Sequence, residues 1–144
     1  MKGAILAVDV GSVRIGIAVC ESLELPALPV TTLAHTSREK DVAAIAALAR
    51  ERDAHTIVVG YPLRLDGQRG PAAEKMDTFI AALRAGFEGD VVAVDERLTS
   101  AAADAKLRGA QMSGARRREL VDRFAAVEIL ESYRAARRRS GGQA

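Results

Sequence analysis

Residues 3–10, GAILAVDV, are apolar almost throughout, and residues 15–20, IGIAVC, repeat the pattern after the break GSVR at 11–14. Short apolar runs bounded by glycine predict two strands joined at that break, and the alternation over 28–34 predicts a third. Residues 37–52, SREKDVAAIAALARER, carry apolar positions at helical spacing. That helix opens on Thr36 or Ser37 as its cap, with Glu39 available for a capping box. HTIVVGYP, 55–62, is apolar on both faces, which predicts a buried strand stopped by Gly60 and Pro62. After the loop at 63–71, the spacing predicts a helix over 71–86 and a strand over 90–96. A helix over 99–109 follows, with Thr99 as its cap and Gly109 at its end, and a last helix spans 117–137.

The order of elements decides the fold class. Three consecutive strands with short connections form an antiparallel meander. Two further strands reached through helical crossovers lie parallel to the first. The expectation is an α/β domain over 1–137 with a central five-stranded mixed sheet flanked by helices, and a flexible basic and polar tail over 138–144.

Composition narrows the classes. No run of about 18 apolar residues exists to span a membrane. The N-terminus leads straight into a strand-like run, with no cleavage site of a secretory signal. A single cysteine, Cys20, excludes an internal disulfide and fits a reducing cytoplasm; its place in GIAVC makes it a small core residue. The net charge of +2 conceals an asymmetry. Residues 1–96 hold 10 Lys/Arg against 14 Asp/Glu, whereas 97–144 hold 11 against 5, all but Lys106 of the cations being arginine. An arginine-rich C-terminal third suits a polyanionic partner, or else simply keeps the chain soluble.

Against this background Asp9 stands out, a carboxylate inside an apolar strand, because burying an unpaired charge costs several kcal/mol, on the order of 3–5. In α/β sheets, sites form beyond the carboxyl ends of parallel strands. Asp9 ends the first such strand, GYP (60–62) the second, and Asp95 and Glu96 the third. Alternation sends Asp95 and Glu96 to opposite faces, and periodicity alone leaves open which of them shares the face of Asp9. On the last helix, Asp122 falls on one stripe with Ala125, Ala126, Ile129 and Tyr133, while Glu128 and Glu131 fall away from it, toward solvent. Asp122 either joins the other carboxylates or pairs with Arg118. Carboxylates converging on one sheet edge repel unless a cation holds them, and an all-oxygen set suits one or two Mg²⁺ or Mn²⁺ ions acting on a phosphodiester. The residues thus predict a metal-dependent nuclease.

AVDVGSVRIGIAV, IVVGYPLRLDGQRGP, VDERLTSAAA and LVDRFAAVEILESY, in this order and spacing, resemble the bacterial YqgF family, also called RuvX, over about residues 3–134. The resemblance implies a ribonuclease H-like fold and a nuclease of pre-16S rRNA 5′-end maturation, with the rRNA precursor, free or within a ribosomal particle, as its partner. It also implies kinship with Holliday-junction resolvases, whose substrate is a four-way DNA junction. It assigns metal binding and catalysis to Asp9, Glu96 and Asp122, leaving Asp95 a structural role. Two positions depart from the pattern: Tyr61 stands where leucine is common, and Ala125 stands three residues after Asp122, where related resolvases carry a fourth acid.

Supporting roles follow around these acids. Arg14 contacts phosphate or orients the carboxylates; Arg97 binds phosphate or anchors Glu96. Arg64 and Arg69 sit on a glycine-containing loop that can cover substrate. Arg116, Arg117 and Arg118, about one turn before Asp122, are placed to receive a nucleic-acid strand. His35, His55 and Tyr133 read as structural. A resolvase makes two symmetric cuts and needs a homodimer; no extended apolar face announces one, which favours the RNA substrate and leaves monomer or homodimer open. A non-catalytic nucleic-acid binder, and an actin-like phosphotransferase that would need a second such domain, are the remaining alternatives.

Overall fold

The computed structural model describes residues 3–62, 70–95 and 114–141, the last of these segments with side chains over 124–137. The elements are β1 (Ala4–Val10), β2 (Arg14–Cys20), β3 (Leu28–Ala34), α1 (Arg38–Glu51), β4 (Ala54–Tyr61), α2 (Pro71–Gly86), β5 (Asp90–Asp95) and α3 (Gly114–Gly141). The expected helix over 99–109 and loop residues 63–69 lie outside the described residues. The last helix is longer than its apolar stripe predicts, starting three residues earlier and running on to Gly141.

One sheet contains all five strands, in the order β3-β2-β1-β4-β5. β1 pairs antiparallel with β2 and β2 with β3, while β4 lies parallel to β1 and β5 parallel to β4. This is the expected meander followed by two crossovers. β1 and β4 are central, which is why both are apolar on both faces. β3 is an edge strand and accommodates Pro29, next to the register shift between Ile17 and Ala18 on its partner.

Strand parity divides the core into two layers. On one face Leu6, Val8, Ile15, Ile17, Ile57 and Val59 pack against Ile45 of α1 and against Met76, Phe79, Ile80 and Leu83 of α2. On the other, Ile5, Ala7, Ala18, Cys20 and Val58 pack against Ala126, Ile129 and Leu130 of α3. Cys20 is buried there as a free thiol, as its pattern predicts.

Local chemistry fixes the helix ends. Ser37 caps α1, its hydroxyl accepting from Lys40 N at 3.2 Å. With Ser37 as cap, Glu39 falls one position short of the capping-box site, and the reciprocal contact comes from Asp41 instead. Asp41, 2 % exposed, accepts from Thr36 N at 3.1 Å and Thr36 Oγ1 at 3.3 Å, and its other oxygen meets His35 Nδ1. α2 begins with Pro71 in its first turn after Gly70, where a missing N–H costs nothing.

α3 is oriented by two polar contacts at its C-terminal half. Glu131 Oε2 accepts from Ala27 N at 2.7 Å, and Arg134 Nε donates to Leu23 O at 3.1 Å. Glu131 Oε1 also meets Arg134 Nη1. The expectation of a solvated Glu131 is therefore corrected: it joins Arg134, 7 % exposed, in tying the β2–β3 connection to the helix. Leu23 and Ala27 follow Cys20, whose strand partner is Ile5, so the C-terminal half of α3 lies at the Ile5 end of β1. Its earlier turns run toward Asp9.

Candidate active site

Asp9 sits at the carboxyl end of β1 with 8 % exposure, and its odd-numbered parity sends it to the α3 face with Ile5 and Ala7. Directly across on β2 is Gly16, which adds no side chain beside the carboxylate. On β4, Val59 lies beside Val8, so the next step along the pair is again a glycine, Gly60. Both neighbours thus leave the space around the Asp9 carboxylate open toward α3. Arg14, half-buried on β2, shares the parity of Gly16 and so the face of Asp9. It lies diagonally two residues from the direct pair, about 7–8 Å between backbones and within reach of a long side chain.

The β1–β2 connection is built to end both strands at this edge. Gly11 N donates to Arg14 O at 2.9 Å, closing the turn, and His35 N donates to Val13 O at 2.9 Å, fastening it to the end of β3.

β5 places Asp95, one of the two acids that alternation left open. Val94 packs in the α3-side core, whereas Val91 packs on the α1/α2 side. Asp95 shares the parity of Val91, is exposed, and lies opposite Tyr61 in the ladder. Tyr61 also belongs to the α1/α2 side, its hydroxyl donating to Asp77 Oδ1 at 2.8 Å. Asp95 is therefore on the face away from Asp9. The tyrosine that replaces the common leucine gains a hydrogen bond tying the end of β4 to α2.

On α3, Ala125 and Ala126 are fully buried against the sheet, and Asp122 precedes them by three and four positions on the same helix. From Glu131 back to Asp122 the helix rises about 13.5 Å. From Ile5 to Asp9 the strand advances about 13 Å. The backbone of Asp122 is accordingly brought level with the Asp9 end of β1. The side chains of Asp122, Arg116, Arg117 and Arg118, and the whole of Glu96, Arg97, Arg64 and Arg69, lie outside the described residues. Among the described residues no three His, Cys, Asp or Glu gather in one place. Tyr133 is half-buried against the α3-side core, with the Arg137 guanidinium 6.0 Å from its ring centre.

The sequence reading gave His35 no chemical role and did not weigh Asp41. Their pairing is held across six residues by the cap of α1, and the available signal was HTSREKD, a histidine and an aspartate flanking a helix start.

A family model described as RuvX, Holliday junction resolvase, matches residues 3–135. The chain belongs to the RuvX family. A relative from Syntrophus aciditrophicus, named "Putative pre-16S rRNA nuclease", is 43 % identical over 90 % of this chain and 86 % of its own length. One from Chloroflexus aggregans with the same name is 41 % identical over 93 % of this chain and 94 % of its own. Among solved structures, Thermus thermophilus RuvC in complex with a Holliday junction substrate superposes with a TM-score of 0.57 at 14 % identity, over 91 % of this chain and 94 % of that one. That likeness shows the ribonuclease H-like fold that the family resemblance implied.

Proposed function

We propose that the chain is a divalent-metal-dependent nuclease that hydrolyses phosphodiester bonds in the cytoplasm, with the 5′-extended precursor of 16S rRNA as its substrate. The observation that carries this reading is Asp9, buried at the carboxyl end of a central parallel strand beneath α3, with glycine on the neighbouring strand and an arginine on the same face. The names of the curated relatives support the substrate, and family membership supports the reaction class.

In this reading Asp9, Glu96 and Asp122 form the donor set. Asp95 is the rival of Glu96, and its position on the far face supports the assignment to Glu96, since parity alternates along a strand. The backbone of Asp122, level with Asp9, supports the third. Three carboxylates without nitrogen or sulfur fit Mg²⁺ or Mn²⁺ and disfavour softer metals. A bound divalent ion would neutralise charge on the phosphodiester and activate the attacking water. The protein's own residues do the rest: Arg14 orients Asp9 or holds the adjoining phosphate, and Arg97, Arg64, Arg69 and Arg116–Arg118 engage the nucleic-acid backbone. Ala125, fully buried where related resolvases carry an acid, leaves three carboxylates rather than four.

The test sets labelled 5′-extended small-subunit rRNA beside a four-way DNA junction, in Mn²⁺ and in Mg²⁺, with wild type, Asp9→Asn and Asp122→Asn. Metal-dependent cleavage of the RNA is expected to fall by about 100-fold or more in each variant, since losing even a supporting residue of a metal site costs 10–100-fold. Paired symmetric nicks in the junction, with the RNA untouched, would make the chain a resolvase. Cleavage undiminished in Asp9→Asn would remove the site.

A further inference from the structure

Across the sheet from Asp9, on the α1/α2 side, a cavity of about 540 Å³ opens at the same carboxyl edge. Its position follows from the chain. Val10 and Gly11, the two residues after Asp9, form one wall; Pro62 after β4 and the first turns of α2 form the others. Two residues of extended chain span about 7 Å. A nucleic-acid strand that rounds this edge of the sheet from Asp9 has a neighbouring nucleotide within reach of this cavity.

The lining chemistry suits such a nucleotide. His35, Arg38 and Lys75 contribute three basic side chains, and among the described residues no carboxylate lines the cavity. Among the described residues, neither Arg38 nor Lys75 has an ion-pair partner. The rest of the lining sets Val10, Met76 and Phe79 beside the hydroxyls of Ser12 and Thr78, a mixture that suits a base and its sugar. His35 is held in place: its Nδ1 meets the buried Asp41 and its backbone N–H is fastened to Val13 O. Its Nε2 edge is left for the cavity.

We propose that this cavity is a second subsite, which seats the phosphate and base of a nucleotide flanking the bond cut at Asp9. Arg38 and Lys75 hold the phosphate there, and His35, oriented by Asp41, supplies a ring edge of fixed orientation. The subsite rests on the nuclease reading above and deepens it. A second cavity at the opposite edge of the sheet provides the contrast, since its lining mixes Arg50 and His55 with Asp53, Glu88 and Asp90.

The experiment measures binding rather than cleavage. A fluorescent 5′-extended small-subunit rRNA fragment is titrated with Asp9→Asn protein carrying Arg38→Ala/Lys75→Ala, or Arg50→Ala/Arg52→Ala as the control, across a salt series. The first pair is expected to weaken binding by about tenfold and to lower the slope of log K against log salt by about 1.4, two contacts at roughly 0.7 each for a single strand. The control pair is expected to change neither. Asp41→Asn is expected to weaken binding as well, without altering the slope, because it disturbs the orientation of His35 and not a phosphate cation. Equal losses from both pairs, or no loss from the first, overturn the subsite. The nuclease reading fails by a separate route, through undiminished cleavage in Asp9→Asn.

Discussion

The two faces of the sheet are packed from different materials. Against α1 and α2 the sheet presents leucine, isoleucine and valine, met by Ile45, Met76, Phe79, Ile80 and Leu83. Against α3 it presents Ala7, Ala18 and Cys20 beside Ile5 and Val58, met by Ala125, Ala126, Ile129 and Leu130. Large branched and aromatic side chains bury more area per residue and supply more stabilisation, at about 25 cal/mol per Å². Alanines supply less but let a helix backbone approach a strand. The α1/α2 face therefore serves mainly stability. The α3 face gives up apolar volume for close approach of the helix, and fastens α3 with Glu131 and Arg134 instead.

The sharpest way to break that contrast is a pair of substitutions, one on each face. Leu83→Ala, at a site with no exposure, is expected to cost about 2–5 kcal/mol by leaving a cavity, read by urea denaturation. Cleavage per folded molecule should stay near wild type. Ala126→Leu, equally buried, is expected to cost less, about 1–3 kcal/mol for overpacking. Cleavage per folded molecule should nonetheless fall sharply, because lifting α3 moves Asp122 from Asp9. Full specific activity in Ala126→Leu would show that the small residues do not set the site.

The parts of this contrast that were legible in the sequence are those carried by local pattern. Apolar runs and helical spacing predict 28–34 and 71–86 to the residue, and the strand order follows from connection lengths. The parity of Asp9 and the alanine stripe of α3 were also readable. What escaped depends on distance. Glu131 is polar and off the apolar stripe, so periodicity sends it to solvent; its partner Ala27 N is 104 residues away and leaves no local trace. Arg134, in an arginine-rich run, looks like any solubilising cation, although it is buried. The face taken by Asp95 needed the knowledge that Val91 and Val94 pack on opposite faces, a fact of the assembled sheet. Asp41 displaced Glu39 at the start of α1 because the cap is Ser37, one residue from the alternative.

The polar tie on the α3 face sharpens the comparison at a smaller scale. Glu131→Ala strands the Ala27 N–H and removes the partner of a nearly buried guanidinium, with an expected cost of about 1–3 kcal/mol. Arg134→Met keeps the stem and removes the charge that needs a partner. Losing Glu131 leaves a buried guanidinium without its carboxylate, whereas losing Arg134 leaves a carboxylate that water reaches, so Arg134→Met should be the milder of the two in thermal melts. A larger loss in Arg134→Met would mean that its bond to Leu23 O, and not the pairing with Glu131, holds the loop.

The smallest effect concerns Cys20, at the centre of the same face. Burial pushes its thiol from 9.0 up to about 11, with Arg134 pulling in the opposite direction and Glu131 reinforcing the rise. The folded chain thus keeps the proton over a range in which the unfolded chain has lost it. The associated stability is fully present below about pH 9 and is lost as pH rises through 11. At pH 10 the loss is about 1.4 kcal/mol, one unit of pH within that window. Other groups titrate there as well, so the quantity to read is the difference in stability between wild type and Cys20→Ala at pH 8 and at pH 10. The wild type should lose about that much more. In Arg134→Met the thiol loses its cationic neighbour and should ionise later still, so the decline should begin at the same pH and extend further. A wild type that tracks Cys20→Ala across the whole range would mean that the α3 face is open enough to hydrate the thiolate, and the alanine packing would then not be the close contact inferred from it.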